Sequence, residues 1–330
     1  MNNQTQTDNA ENVVLIADFV GRSGIPDLGS RRDLEKSVPE TVDQLINAIQ
    51  RLGRKVIHYL TPDELGRNAS KHHNDIIFSI YGGESSRNRM ALVPAVCEIF
   101  GLKYIGPDVY GRIVAQDKEV SKRLALDSGL ETPDWRIIRR LGDLSYLKNF
   151  DFPCVIKPLM EGSSIGITQS NLTYNSEQAA LLAEQLLTRM DQPVIVEKFI
   201  PGREAALSVI ESNGEIYTAY SEILIEGRPG FFHDKLFDAE EKANPTKGRT
   251  VRNIDNELSS GDMERIKKFL ESYGHFGYCR IDGRHLDGKF YFLEMTPDAW
   301  INKKGQFVMA FTEKGWRYEK IINEILLSKG

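Results

Sequence analysis

The chain of 330 residues reads as a multidomain α/β protein. An open, mostly parallel α/β domain runs to about residue 115. A small α+β unit follows to about residue 200, and the remainder is built on antiparallel hairpins. Three observations predict this. Short apolar runs alternate with helix-period segments through the first third, the pattern of a parallel sheet with helical crossovers. The length exceeds what one hydrophobic core usually serves. Two hairpin signals, Asn213-Gly214 and Asp287-Gly288, lie in the last half.

Val13-Val14-Leu15-Ile16-Ala17 is a continuous apolar run, as expected of a buried parallel strand. A polar, Gly-rich loop from Gly21 to Asp33 follows it. Val38 to Leu52 has helical spacing through Val42, Leu45, Ile46 and Ile49, and Gly53 is placed to cap it. Further strands are expected at Lys55 to Leu60, Ile76 to Ile80 and Lys103 to Gly106, with a helix from Met90 to Phe100 between the last two. Ligands of such sheets sit at the carboxyl ends of strands. The loops at Gly21 to Asp33 and Ser79 to Glu84 should therefore face a substrate.

Beyond this domain, Asp117 to Ser128 reads as a helix with Lys118 in its first turn. Trp135 to Ile138, Cys154 to Pro158, Ile165 to Gln169 and Val194 to Phe199 read as strands, and Ser176 to Met190 as a helix. Glu204 to Ile210 and Glu215 to Leu224 form one hairpin; Gly277 to Leu286 and Lys289 to Met295 form another. Asp262 to Tyr273 reads as a helix. The polar stretch from Glu226 to Asn256 carries no clear pattern, and is read either as a functional lid or as disorder.

Composition narrows the function. Apolar residues make up 41%, charged residues 27%, and the net charge is −5. No global basic field argues for nucleic acid. No apolar run approaches the ~20 residues of a spanning helix. Cys97, Cys154 and Cys279 are scattered in apolar settings with no CxxC pair, as expected of buried free thiols in a reducing compartment. The first eleven residues, MNNQTQTDNAE, have neither a basic n-region nor an h-region and read as a disordered tail. A cytoplasmic location is expected.

The stretch from Phe152 to Thr168, FPCVIKPLMEGSSIGIT, carries the most chemistry. A short apolar strand ends in Lys157. A small-residue loop follows, Glu161-Gly162-Ser163-Ser164-Ile165-Gly166. Glycines let backbone approach a phosphate, and N–H groups there point at the anion. The loop is neither a GxxxxGK[ST] motif nor a GxGxxG fingerprint. In the second hairpin, Asp282 lies on one strand and Glu294 on the next. Carboxylates on adjacent antiparallel strands can face one way and share a metal, and Mg²⁺ is commonly held by one or two carboxylates plus substrate phosphates. The plainer reading is two surface charges beside a turn.

Four segments, in order, resemble the ATP-grasp superfamily and, within it, the D-alanine–D-alanine ligases: Tyr104-Ile105-Gly106 through Gln116-Asp117-Lys118; Phe152 to Thr168; Val194 to Glu204; and Gly277 to Asp282 through Phe292-Leu293-Glu294. The similarity runs from about Val13 to Leu327. The resemblance implies an ATP-grasp fold in which an N-terminal open parallel α/β domain, 12–115, precedes two α+β subdomains, 116–200 and 201–330, that clasp ATP. It implies ATP and Mg²⁺, with Mn²⁺ as an alternative metal, small-molecule carboxylate and amine substrates, and a homodimer. Lys118 and Lys157 match lysines that hold ATP phosphates. Ser163 and Ser164 match the flap over them. Glu197, Lys198 and Ile200 match the adenine-reading hinge, and Glu204 the acid on the ribose hydroxyls. Asp282 and Glu294 match the metal ligands, and Arg280 the arginine that steadies the tetrahedral intermediate. Lys235 matches the mobile-loop lysine near the γ-phosphate.

The implied reaction is amide formation through an acyl phosphate with release of ADP and phosphate. The chain departs from the family pattern at its last metal motif. Thr296 replaces an asparagine, and Pro297-Asp298-Ala299-Trp300 follows. Asp298 is then a candidate substitute ligand, and Trp300 stands where the family has a glycine whose N–H helps form the oxyanion hole. Ser79-Ile80-Tyr81 replaces a His-Gly. Glu35-Lys36-Ser37 is similar to the family's Glu-Val-Ser, giving Glu35 the first substrate's amino group to hold; its other reading is an acid at a helix start. Lys303 and Lys304 lie where a substrate carboxylate would sit, or are solvated charges. His72-His73 reads as loop, since adjacent residues are poor co-ligands. Altered acceptor specificity is expected. Two other readings stay open: a degenerate ATP-grasp protein that binds nucleotide for regulation, and an ester-forming ligase of the same fold.

Overall fold

A computed structural model describes residues 12–19, 35–83, 87–243 and 248–328. The expected tail at 1–11 and the Gly-rich loop at 21–33 lie outside these residues. Three sheets organise the chain. The first is parallel, with strands β1 (Val13–Ile16), β2 (Val56–Tyr59), β3 (Ile76–Ser79) and β4 (Lys103–Tyr104) in the order β2-β1-β3-β4. Its central strand β1 is wholly buried, as its unbroken apolar run requires. Helix α1 (Pro39–Arg51) starts on a proline and turns Val42, Leu45 and Ile49 into the core. Gly53, at φ 79°, ends it in the left-handed region. Helix α2 (Pro62–Asn68) is capped by Thr61, whose side chain accepts from the Glu64 N–H. Helix α3 (Leu92–Phe100) follows a short 3₁₀ turn.

Helices α4 (Val109–Gln116) and α5 (Lys118–Asp127) lead to the second sheet. It is antiparallel, with strands β5 (Trp135–Ile138), β6 (Cys154–Pro158), β7 (Leu172–Thr173) and β8 (Val194–Lys198) in the order β5-β8-β6-β7. Helix α6 (Ser176–Met190) covers it, packing Ala179, Ala183 and Leu186 against Ile138, Ile156 and Val196. The strand expected at Ile165 to Gln169 is instead a loop. Ser163, Ser164 and Gly166 all have left-handed backbones, φ 50°, 58° and 75°, which a strand cannot contain. The strand in this region is β7.

The third sheet has strands β9 (Arg203–Ser212), β10 (Glu215–Ile225), β11 (Arg249–Asn253), β12 (Tyr278–Leu286) and β13 (Lys289–Pro297), antiparallel throughout, in the order β11-β10-β9-β12-β13. The segment that lacked a sequence pattern contains helix α7 (Ala239–Ala243) and edge strand β11. Helix α8 (Ser260–Glu271) packs Ile266, Phe269 and Leu270 onto the apolar face. The chain ends in helices α9 (Gln306–Glu313) and α10 (Tyr318–Leu326). These return to the first sheet: Phe307, Ile321 and Ile325 share one core with Val13, Leu15 and Phe78.

A β-bulge sets the chemistry of the last hairpin. Asp282 pairs with Glu294, but Gly283 pairs with Phe292, leaving Leu293 as the extra residue. Side chains alternate along a strand, so Phe292 and Glu294 would otherwise share a face. The bulge reverses the alternation. Phe290 and Phe292 enter the core, while Leu293 and Glu294 face a cavity. Gly283 is required there, since a Cβ would lie 2.4 Å from the Tyr291 carbonyl and from the Phe290 ring. Cys97, Cys154 and Cys279 are free and buried, and burial pushes the Cys97 thiol up to about 12. Among the described residues, no helix is long and apolar enough to cross a membrane.

Candidate active site

Two cavities adjoin where the sheets meet. The smaller, about 100 Å³, lies between the second and third sheets and is walled by Lys157, Glu197, Ile200, Glu204 and Arg284. The larger, about 650 Å³, opens toward the first sheet and is walled by Glu35, Tyr81, Ser163, Thr296 and Trp300. Lys118, Glu161, Lys242, Arg280 and Glu294 line both. Charged side chains thus predominate at the boundary, which Phe237 and Gln306 complete.

Strand β6 is buried along its length and delivers Lys157 to the smaller cavity. Its ammonium meets Glu197 at 2.5 Å, and Lys122 meets the same carboxylate at 3.1 Å. Burial alone would lower Lys157, but Glu197 and Glu294 outweigh it and hold the lysine above its usual value. Lys122 goes the other way: burial, only partly opposed by Glu197, draws it down to about 8. Lys118 opens α5, with the Asp117 side chain capping the helix by accepting from Glu119 and Val120 N–H. Its ammonium faces Glu294 at 3.2 Å and donates to the Glu161 carbonyl.

Asp282 and Glu294 are direct cross-strand partners, as the sequence reading required of a shared site. Arg280 grips Asp282 with two hydrogen bonds, 2.5 and 2.9 Å, and the Thr296 hydroxyl donates to the same carboxylate at 3.0 Å. Burial would raise Glu294, but Lys118, Lys157 and Lys242 outweigh it and hold its carboxyl at about 2. Arg280 stays above the usual arginine range because Asp282 and its hydrogen bonds outweigh burial.

At the far end of the smaller cavity, Glu204 pairs with Arg284 at 2.6 Å. Arg284 also donates to the carbonyls of Ile200 and Gly202, at 3.1 and 2.9 Å, and to that of Phe232 at 2.5 Å. This buried guanidinium therefore shapes the segment that carries Lys198 and Ile200. Lys198 also lines the cavity, and its ammonium donates to the Phe152 carbonyl at 3.1 Å. Neither Arg284 nor Lys122 was singled out from sequence; for Arg284 the available signal was its alternation with Arg280 and Asp282 along one strand.

The loop after β6 bridges three parts of the chain. The Gly162 N–H donates to Glu35 at 2.8 Å, and the Ser164 hydroxyl donates to the Phe237 carbonyl at 2.8 Å. Buried Arg89 joins Glu35 to Glu161, and Gln192 donates to Glu161 at 2.7 Å. Both oxygens of Glu35 are thereby engaged within the protein, one by Gly162 and one by Arg89.

Lys235, Asp298, Lys303 and Lys304 each have contacts away from Asp282 and Glu294. Lys235 is exposed, lies over the Phe231 ring at 4.7 Å and lines neither cavity. The loop lysine at the carboxylates is Lys242, on α7. Phe232 and Leu236 bury their side chains on either side of Lys235, and the Lys235 carbonyl accepts from Arg284 at 3.3 Å. Asp298 lines only the larger cavity; one of its carboxylate oxygens pairs with buried Arg112, and the other has no hydrogen-bond partner among the described residues. Lys303 lies over the Tyr318 ring at 5.1 Å, and Lys304 faces Glu40 at 3.4 Å. His72 is buried between the Tyr59 hydroxyl and Asp75. Trp300 lines the larger cavity and donates from its indole N–H to Thr41 at 3.3 Å.

A family model described as the D-ala D-ala ligase C-terminus matches residues 124–327. The chain belongs to the D-alanine–D-alanine ligase family. The ligase of Aquifex aeolicus is 28% identical over 305 residues, covering 91% of this chain and 98% of that protein. The ligase of Thermotoga maritima is 28% identical over 309 residues, covering 91% and 94%. The fold is ATP-grasp. A Bacillus anthracis D-alanine–D-alanine ligase solved with ATP superposes with a TM-score of 0.71 at 19% identity, over 97% of both chains. The VanG D-Ala:D-Ser ligase of Enterococcus faecalis gives 0.71 at 16% identity, over 96% of this chain and 98% of that one. In this family member the matched region holds both cavity-facing acids and the Lys157 strand, whereas Lys118 and Glu35 come from outside it.

Proposed function

We propose that this family member is an ATP-dependent carboxylate–amine ligase that forms an amide bond through an acyl phosphate, with release of ADP and phosphate. One observation carries the reading: Lys118, Lys242, Arg280 and Glu294 line the boundary between a narrow cavity and a wide one. Charge that moves from a nucleotide in the first to a carboxylate in the second passes this boundary. Phosphoryl transfer depends on positioning and charge neutralisation more than on covalent help, and these residues supply both.

Lys118 and Lys157 are the phosphate cations, and Lys242 takes the loop position first expected of Lys235. Glu204, Lys198 and Ile200 line the nucleoside end. The donor set suits Mg²⁺: two carboxylates on one face of a hairpin, hard oxygen ligands beside space for phosphates. Asp282 and Glu294 would hold it, with Thr296 behind Asp282. When bound, the metal neutralises phosphate charge and polarises the γ-phosphoryl group. Asp282 would then exchange part of its contact with Arg280, freeing that guanidinium for the oxyanion that develops when an amine attacks the acyl carbon. The loop of Ser163 and Ser164, tied to Glu35 and Phe237, excludes water from the acyl phosphate.

A phosphate-release screen over pairs of D- and L-amino acids and hydroxy acids, with mass spectrometry of products, tests the reading. ADP and phosphate formation that needs both substrates is expected. Nucleotide binding without turnover for any pair would replace it with the regulatory reading, and an ester product with the ester-forming one.

A further inference from the structure

Arg284 follows Arg280 and Asp282 on the same face of β12, and its direct cross-strand partner on β9 is Glu204. It is buried, and all five N–H donors of its guanidinium are engaged. One meets the Glu204 carboxylate at 2.6 Å. The rest go to main-chain carbonyls of two segments. Ile200 and Gly202 belong to the segment before β9. Phe232, His233 and Lys235, at 2.5, 3.3 and 3.3 Å, belong to the loop between β10 and β11. A buried guanidinium destabilises a fold unless its donors are answered, and here one side chain answers them by joining two segments.

The second of those segments leads to Lys242. Next to the Lys235 turn, Gln169 donates to the Leu236 carbonyl and to the Asp238 carboxylate, each at 2.8 Å, and accepts from the Leu236 N–H at 3.1 Å. Helix α7 starts at the following residue, with Asp238 accepting from the Glu241 and Lys242 N–H groups at 3.1 Å. At five residues, α7 is too short to be stable without contacts outside itself. The place of Lys242 beside Glu294 is therefore set by the anchors upstream of the helix. Arg284 is the anchor on the third sheet, and Gln169 the one beside the second.

We propose that Arg284 is a positioning residue for Lys242. It fixes the Lys235 turn against the segment before β9, and so sets where the α7 lysine meets the transferred phosphoryl group. The inference rests on the ligase reading for what Lys242 does there; the tie between Arg284 and the loop does not. Methionine in its place would leave five carbonyls and Glu204 without their donor. Lysine keeps the charge, but its donors radiate from one atom and cannot serve both segments as the planar fork does.

The test has two arms. In the first, phosphate release is measured for the wild type, Arg284→Met, Lys242→Met and the double variant. Arg284→Met alone should lose about tenfold or more, since a small displacement of a reacting group costs up to about 10²-fold. In the Lys242→Met background the same change should lose less than about twofold, because the group it positions is gone. Losses that multiply independently would overturn the assignment. The second arm needs no turnover. With ADP and Mg²⁺ present, trypsin should cleave after Lys235 and Lys242 at least about tenfold faster in Arg284→Met than in the wild type, with cleavage elsewhere unchanged. Equal rates at those two sites, or a rise spread over the whole chain, would overturn it. Should Arg284→Met not fold, Arg284→Lys takes its place in both arms under the same criteria. A wild type that releases no phosphate with any substrate pair would refute the ligase reading, and proteolysis alone would then decide the role of Arg284.

Discussion

Asp282 and Glu294 face each other across the β12–β13 ladder at the last regular pair before the bulge. In the free protein each is matched by a cation, Arg280 and Lys118. Placing like charges directly opposite is unfavourable by itself. Their cations offset that repulsion. Asp282→Asn and Glu294→Gln should each lower phosphate release by about 10²-fold or more, the loss typical of one electrostatic group at a transition state. Each should also raise the Mg²⁺ concentration needed for half-maximal rate. Turnover and Mg²⁺ dependence that match the wild type would sink the metal assignment.

Lys242 and Lys235 lie seven positions apart on one loop and make opposite predictions. Lys242→Met should reduce phosphate release by about 10²-fold with ADP binding retained. Lys235→Met should leave both near wild type, as expected of an exposed side chain whose contact is one aromatic face. Reversed results would return the loop position to Lys235.

Glu294 also predicts a pH dependence. Its carboxyl sits at about 2 in the folded chain against an ordinary 4.5, because Lys118, Lys157 and Lys242 together outweigh burial. A depressed carboxyl stabilises the fold above its unfolded value, and that stability is lost as pH falls through the folded value. The difference in unfolding free energy between wild type and Glu294→Gln should therefore shrink from pH 4.5 toward pH 2. A pH-independent difference in urea unfolding would contradict the charge cluster.

The Arg112–Asp298 pair separates a structural role from a metal role. Both side chains are buried. Asp298→Ala leaves Arg112 without its carboxylate, and breaking a buried pair typically removes about 3–5 kcal/mol of stability. Denaturant unfolding should show that loss. Replacing both residues with apolar ones of similar volume should recover much of it. A stable Asp298→Ala enzyme with altered Mg²⁺ dependence would instead make Asp298 a ligand.

Much of the site was legible because its residues are local. Lys157 ends an apolar strand, Lys118 begins a helix, and Asp282 and Glu294 flank an Asp-Gly turn. Strand period and turn chemistry place such groups without reference to the rest of the fold. The strand expected at Ile165 to Gln169 is a loop because the backbone turns back at Gly166, although Ile165, Ile167 and Thr168 have strand-like side chains. Helix α10 was legible in principle from Tyr318, Ile321, Ile322 and Ile325, which share one helical face. The loop between β10 and β11 was not. Lys235, Lys242 and Arg249 are all cations in a polar stretch, and nothing local ranks them.

By itself, the sequence determined most of the strands, the placement of Lys118 and Lys157 and the acid pair, since each follows from short-range alternation, capping and turn preference. Only the tertiary structure decided which loop cation reaches the carboxylates and that Asp298 pairs with Arg112. Those outcomes depend on which charges burial brings within a few ångströms of one another, a distance that spacing along the chain does not specify.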